Sequence, residues 1–161
     1  MASQASPPSH PNHGPPFVSA VLCERVLTEQ DGSLTAVRIA DQLTVRTVIT
    51  SGQVPVGVAP SPGVGVLTLL VTVRGSEKRT LAIKVTGRNP EQETKDLTTT
   101  VIEVTAPPPE ALGAGNLVAQ VGLALKREGI YWFDVYIDDI FKTSVPLLVK
   151  FEQVTAELAS Q

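Results

Sequence analysis

Gly65-Val66-Leu67-Thr68-Leu69-Leu70-Val71-Thr72-Val73-Arg74, a turn at Gly75-Ser76-Glu77, then Leu81-Ala82-Ile83-Lys84-Val85-Thr86-Gly87-Arg88: this stretch decides the fold. In its first half Leu67, Leu69, Val71 and Val73 point one way, while Thr68, Thr72 and Arg74 point the other. In its second half Leu81, Ile83 and Val85 alternate with Lys84, Thr86 and Arg88. Period two marks a strand with one face buried and one wet.

Working outward, the same texture repeats. Phe17 to Thr28 forms a first apolar run, closed by Glu29-Gln30-Asp31-Gly32, and Leu34 to Thr50 forms a second. Asp-Gly between two apolar runs predicts a hairpin, because Gly accepts positive φ freely. Ser51 to Gly63 carries Pro55, Pro60 and Pro62, which removes backbone donors and predicts a loop. Asn89 to Asp96 reads as a charged loop before a strand from Thr99 to Thr105, with Ile102 and Val104 inward and Glu103 outward. Pro107-Pro108-Pro109 stops that strand. Asn116 to Lys126 follows, with Leu117, Ala119, Val121, Leu123 and Leu125 on one face. Ile130 to Ile137 and Phe141 to Phe151 are the last two, joined at Asp138-Asp139. Pro146 inside the final run points to an edge position or a bulge.

The expected fold is therefore all-β: an antiparallel immunoglobulin-like β-sandwich of about seven or eight strands, the proline loops crossing between its sheets. Residues 1–16, rich in Pro and Ser, read as a flexible tail. Residues 17–152 read as the β-sandwich domain, and 153–161 as a C-terminal tail or short helix.

Composition supports this and excludes several functions. The 161 residues are 42% hydrophobic and 18% charged, a globular balance. A net charge of −3 supplies no basic excess for phosphates, so no nucleic-acid partner is expected. No secretory signal or membrane-length apolar run is visible, which makes the expected location cytoplasmic, with no membrane partner. Cys23, the single cysteine, excludes an internal disulfide and reads as a small core residue.

Two stretches resemble a known family. One is Leu22-Cys23-Glu24 with Asp31-Gly32-Ser33-Leu34 and Val37-Arg38-Ile39-Ala40-Asp41. The other is Gly129-Ile130-Tyr131-Trp132-Phe133-Asp134-Val135-Tyr136-Ile137-Asp138, closing with Val145-Pro146-Leu147-Leu148-Val149. Together they resemble small uncharacterised bacterial β-sandwich proteins, a domain of unknown function. The resemblance implies the fold and a bacterial origin, and carries no catalytic or binding residues with it.

Chemistry-bearing constellations are scarce. His10 and His13, the two histidines, lie in the expected tail, where a base cannot be held against a nucleophile. Gly63-Val64-Gly65 and Gly113-Ala114-Gly115 lack phosphate-loop spacing and read as turns. Asp134, Asp138 and Asp139, with Asp96, could gather calcium only by converging, and Asp138-Asp139 reads as a hairpin corner. No catalytic residues, metal site or cofactor are expected, and the chain reads as a non-enzyme.

The strand from Ile130 is the most informative. Tyr131, Phe133, Val135 and Ile137 make the core face, which leaves Trp132, Asp134 and Tyr136 together on the other. Aromatic side chains on a sheet's outer face favour protein interfaces or sugar stacking. The opposing reading has a neighbouring loop, such as a proline-rich crossing, cover Trp132. The expected function is a non-catalytic binding or assembly module, with an unknown protein partner or self-association through the aromatic face or an edge strand. A carbohydrate or small-ligand binding domain is the alternative.

Overall fold

The computed structural model describes residues 16–50, 63–75, 78–105 and 113–156. Nine strands run through them: β1 Phe17–Thr28, β2 Leu34–Ile39, β3 Gln42–Thr50, β4 Gly63–Gly75, β5 Arg79–Arg88, β6 Thr94–Val104, β7 Gly113–Leu125, β8 Gly129–Ile137 and β9 Ile140–Ala156. They form a four-stranded sheet, β2-β1-β4-β7, and a five-stranded sheet, β3-β9-β8-β5-β6.

The alternation read from sequence becomes the core. Leu67, Leu69, Val71 and Val73 of β4 and Leu81, Ile83 and Val85 of β5 are buried. So are Val121, Leu123 and Leu125 of β7 and Tyr131, Phe133, Val135 and Ile137 of β8. One hydrophobic cluster draws on both sheets. Burying each such aliphatic side chain stabilises by about 1.5–3 kcal/mol, which offsets the cost of ordering the chain. Both proline segments, 51–62 and 106–112, join a strand of the five-stranded sheet to one of the four-stranded sheet. Their residues lie outside those described, as do residues 1–15 of the expected tail.

Several expectations are corrected. The strands number nine rather than seven or eight, because the run Leu34–Thr50 divides. Arg38 adopts φ 53°, Ala40 N–H bonds back to Leu22 O, and Asp41 O accepts from Leu148 N–H. The chain thereby leaves β1 and enters the other sheet. There β3 pairs parallel with β9, from Gln42↔Leu148 to Thr50↔Ala156, while the other pairs are antiparallel. That pairing extends β9 to Ala156, so the segment begun at Gln153 is strand for its first four residues. Pro146 sits opposite Trp132 and ahead of the β3 ladder, where one side of β9 is open and no donor is needed. The bulge falls instead at Lys142, between Thr143↔Val135 and Phe141↔Tyr136.

The two Gly-x-Gly segments are strand starts rather than turns. A Cβ at Gly115 would lie 2.8 Å from Glu103 O, and one at Gly65 would lie 3.2 Å from Leu43 Cδ2. At Gly115 glycine is needed for the close approach of the neighbouring backbone, whereas at Gly65 the crowding comes from leucine side chains. The charged loop after β5 is shorter than expected, spanning residues 89–93. Asn89 Oδ1 accepts from Glu91 N–H and Glu93 N–H, with Gln92 at φ 67°. The two expected hairpin corners are present. Gly32 has φ 82° above an Asp31 carboxylate that accepts from Ser33 N–H, and Asp138 and Asp139 have φ 49° and 61° between paired Ile137 and Ile140.

Candidate functional site

Trp132, Asp134 and Tyr136 lie on the outer face of the five-stranded sheet, as their spacing requires, and each has a different environment. Cross-strand register sets three rows: Arg88–Trp132–Pro146, Thr86–Asp134–Ser144 and Lys84–Tyr136–Phe141. Trp132 is half-buried, with the Arg88 guanidinium 5.7 Å from its ring centroid. Tyr136 is half-buried and meets Phe141 edge-to-face at 5.8 Å. Asp134 is buried between them. It accepts from Ser144 Oγ at 2.5 Å, and Arg88 reaches both carboxylate oxygens at 3.4 Å. Its carboxylate therefore fixes Arg88 over the indole instead of facing solvent. Thr86 Oγ1, next in that row, is buried without a hydrogen-bond partner.

The other acidic residues do not join it. Asp96 pairs with Lys84, and Asp138 Oδ1 accepts from Ala82 N–H within its hairpin corner. Among the described residues no three His, Cys, Asp or Glu side chains gather as metal ligands. His10 and His13 lie outside the described residues. Cys23 is fully buried, its Sγ 3.5 Å from Thr68 O, and burial pushes its thiol above the ordinary value. No helix among the described residues is long and apolar enough to cross a membrane.

Beside Trp132 opens a cleft of about 470 Å³. Its walls are the end of β5 with the 89–93 loop, the start of β6, the end of β7 and the start of β8. The edge strands β6 and β7 converge at their other ends, where Thr105 N–H bonds to Ala114 O. The cleft was not expected from sequence, since it arises where two edges separate.

A second feature was also missed. On the four-stranded sheet many of the positions alternating with the core are apolar too, between the polar rows Ser19–Thr72–Asn116 and Thr68–Gln120. Val64 is 82% exposed, Phe17 and Ile39 66%, and Val66 63%. Register places Val21–Leu70–Val118 in one row across three strands and Val66 opposite Gly122 in the next but one. The sequence signal was present: Val66 and Leu70 fall among the positions assigned to water, yet both are aliphatic. Among the described residues, charge on this outer face is confined to Arg25 and Arg74, at opposite ends.

No curated protein matches this chain. A family model of unknown function, DUF6941, matches residues 18–150, from the second residue of β1 well into β9, which takes in the cleft and all of the apolar residues just named except Phe17. The chain belongs to that family of unknown function.

Proposed function

We propose that this protein is a non-catalytic assembly module with immunoglobulin-like sandwich architecture, and that it works by pairing with a second copy of itself through the outer face of the four-stranded sheet. The single observation that carries this is the exposed aliphatic surface of Ile39, Val64, Val66 and Val118, with Phe17 exposed at the far end beyond the Ser19–Thr72–Asn116 row. Soluble monomers rarely leave contiguous apolar patches of several hundred Å² uncovered.

Area and charge favour a second copy as the occupant. Strands of 12, 6, 13 and 13 residues cover roughly 700 Å² at about 3.3 Å per residue and 4.8 Å between strands. Specific interfaces bury about 600–1,000 Å² per partner, so nearly the whole of this face would take part. Its centre lacks charge, as interface cores do, and a flat aliphatic sheet is complementary to its own two-fold copy. Face-to-face sheet packing at about 10 Å is the geometry available to it. For the sandwich itself, support comes from the shared core and from the order β3-β9-β8-β5-β6. There β3, the second half of the divided run Leu34–Thr50, runs parallel to the last strand, while the other neighbours pair antiparallel in two sheets around one core, as in immunoglobulin-like sandwiches.

The test is a charged pair of substitutions on the patch, Val64→Glu with Val66→Glu. Both side chains are exposed, so the fold should survive with a circular-dichroism spectrum unchanged. Size-exclusion chromatography with light scattering should read twice the chain mass for wild type and the chain mass for the variant. Equal masses for the two would sink the proposal.

The aromatic ridge of Trp132 and Tyr136, with Phe141 and Ile130 exposed beside it, stands as a second contact surface in this reading, favoured by the fixed Trp–Arg pair. Trp, Tyr and Arg are the residue types that most often dominate binding energy at interfaces.

A further inference from the structure

We infer that the cleft beside Trp132 is a binding site for a small molecule that joins an apolar or aromatic body to one anionic head, a carboxylate or a phosphate. This goes beyond the assembly role and does not depend on the four-stranded-sheet face, although Trp132 and Arg88 of the aromatic ridge also line the cleft.

Size comes first. At about 470 Å³ the cleft falls within the range of roughly 300–1,000 Å³ typical of small-ligand sites. Its depth is apolar, formed by Leu97, Leu123 and Phe133. Leu97 is there because of a bulge: β5 passes from Val85↔Thr98 to Thr86↔Asp96, which leaves Leu97 without a partner. Bulges re-aim side chains, and this one lays Leu97 against Gly87, where a Cβ would come within 3.0 Å of it. The apolar wall therefore depends on Gly87 having no side chain.

The rim has a sign. Four cations line the cleft, Arg88, Lys95, Lys126 and Arg127, against two carboxylates, Glu91 and Glu93. With Arg88 paired to Asp134 and Arg127 to Glu91 at 2.9 Å, two lysines face the single carboxylate of Glu93, an excess of one positive charge in a chain whose net charge is −3. Neither Lys95 nor Lys126 pairs with a carboxylate among the described residues. Two ammonium groups at the mouth of an apolar hollow would hold an anionic head while its body takes the hollow.

The site is also fixed in advance. Asn89 ties the 89–93 loop through its two backbone acceptances, and its Nδ2 donates to Glu93 Oε2 at 2.8 Å. Pro90 rests on Gly129, whose φ of 133° and crowded Cβ position exclude other residues. Preformed walls reduce the ordering cost of binding.

Trp132 is the single tryptophan of the chain and lines the cleft, so its fluorescence reports occupancy without a label. Benzoate and phenyl phosphate are the probes, with benzyl alcohol as their neutral counterpart. The expected result is a saturable emission change with at least one anion, at an affinity tenfold or more above that of the alcohol. Lys95→Glu with Lys126→Glu, both on exposed side chains, should weaken the anion at least tenfold with an unchanged melting temperature. No saturable response to either anion, or equal affinity in the charge-reversed chain, would overturn the inference. Titrating an Ile39→Glu, Val118→Glu chain, substituted at exposed positions of the proposed interface that do not line the cleft, separates this claim from self-association, since its affinity for the anion should match wild type.

Discussion

Asp134 shows how a side chain that looks available in sequence is engaged by its neighbours. Buried under Trp132 and Tyr136, it takes hydrogen bonds from Ser144 and Arg88. Arg88→Met should therefore leave a buried carboxylate with one partner and cost about 1–3 kcal/mol in urea unfolding. Trp132 emission should shift to the red as its covering cation goes; unchanged stability and emission together would contradict this role. Thr86 offers the opposite case. Its buried hydroxyl has no partner, so Thr86→Val keeps the shape and removes an unsatisfied oxygen. Such a change should be neutral or stabilising, by up to about 1 kcal/mol, and a clear loss in the same assay would mean the hydroxyl is satisfied. Asp31 loses its contribution at low pH. Hydrogen bonds from Ser33 hold its carboxyl below the usual carboxylate range. The folded value being depressed, its stabilisation is present above the ordinary Asp value and is lost as pH falls through the folded one. Asp31→Asn should remove that part of the acid sensitivity. Of the three candidate residues, their shared face was legible because period two fixes it. That Asp134 would be internal was not, since Arg88 and Ser144 reach it from strands 46 and 10 residues away in sequence.

At the level of elements, glycines mark where chain segments touch. Gly129 carries φ 133° and would place a Cβ 2.9 Å from Pro90 Cγ. Gly129→Ala should cost about 1–3 kcal/mol, from backbone strain and from displacing the loop that walls the cleft. A melting temperature equal to wild type would show that the loop yields freely. Strand identity was readable wherever a strand has one wet face, as in β4, β5 and β8. It failed at β3, because Leu34–Thr50 is one apolar run whose division depends on Arg38 and Ala40 turning toward the other sheet. It failed again at the end of β9, where Gln153–Ala156 is strand through a partner more than a hundred residues away. Local pattern carries no information on a parallel partner at that separation. The Gly-x-Gly segments misled for a related reason: glycine serves turns and close approach alike, and only the neighbouring chain distinguishes them.

For the whole molecule, the two sheets differ in what they present outward. The five-stranded sheet carries ion pairs, Lys84–Asp96 and Arg46–Glu152, around its aromatic ridge. The four-stranded sheet has the Arg38–Glu24 pair between β2 and β1, and outwardly presents aliphatic side chains among neutral polar rows, with Arg25 and Arg74 towards opposite ends. A sheet apolar on both faces needs two coverings, and the shared core supplies one. The account's central claim is that a second copy supplies the other. Sedimentation velocity on the wild-type chain over a hundredfold concentration range tests it most directly. The account predicts a reversible shift from monomer to a two-copy species as concentration rises, abolished by Val64→Glu with Val66→Glu. A single monomeric boundary at every concentration would contradict it.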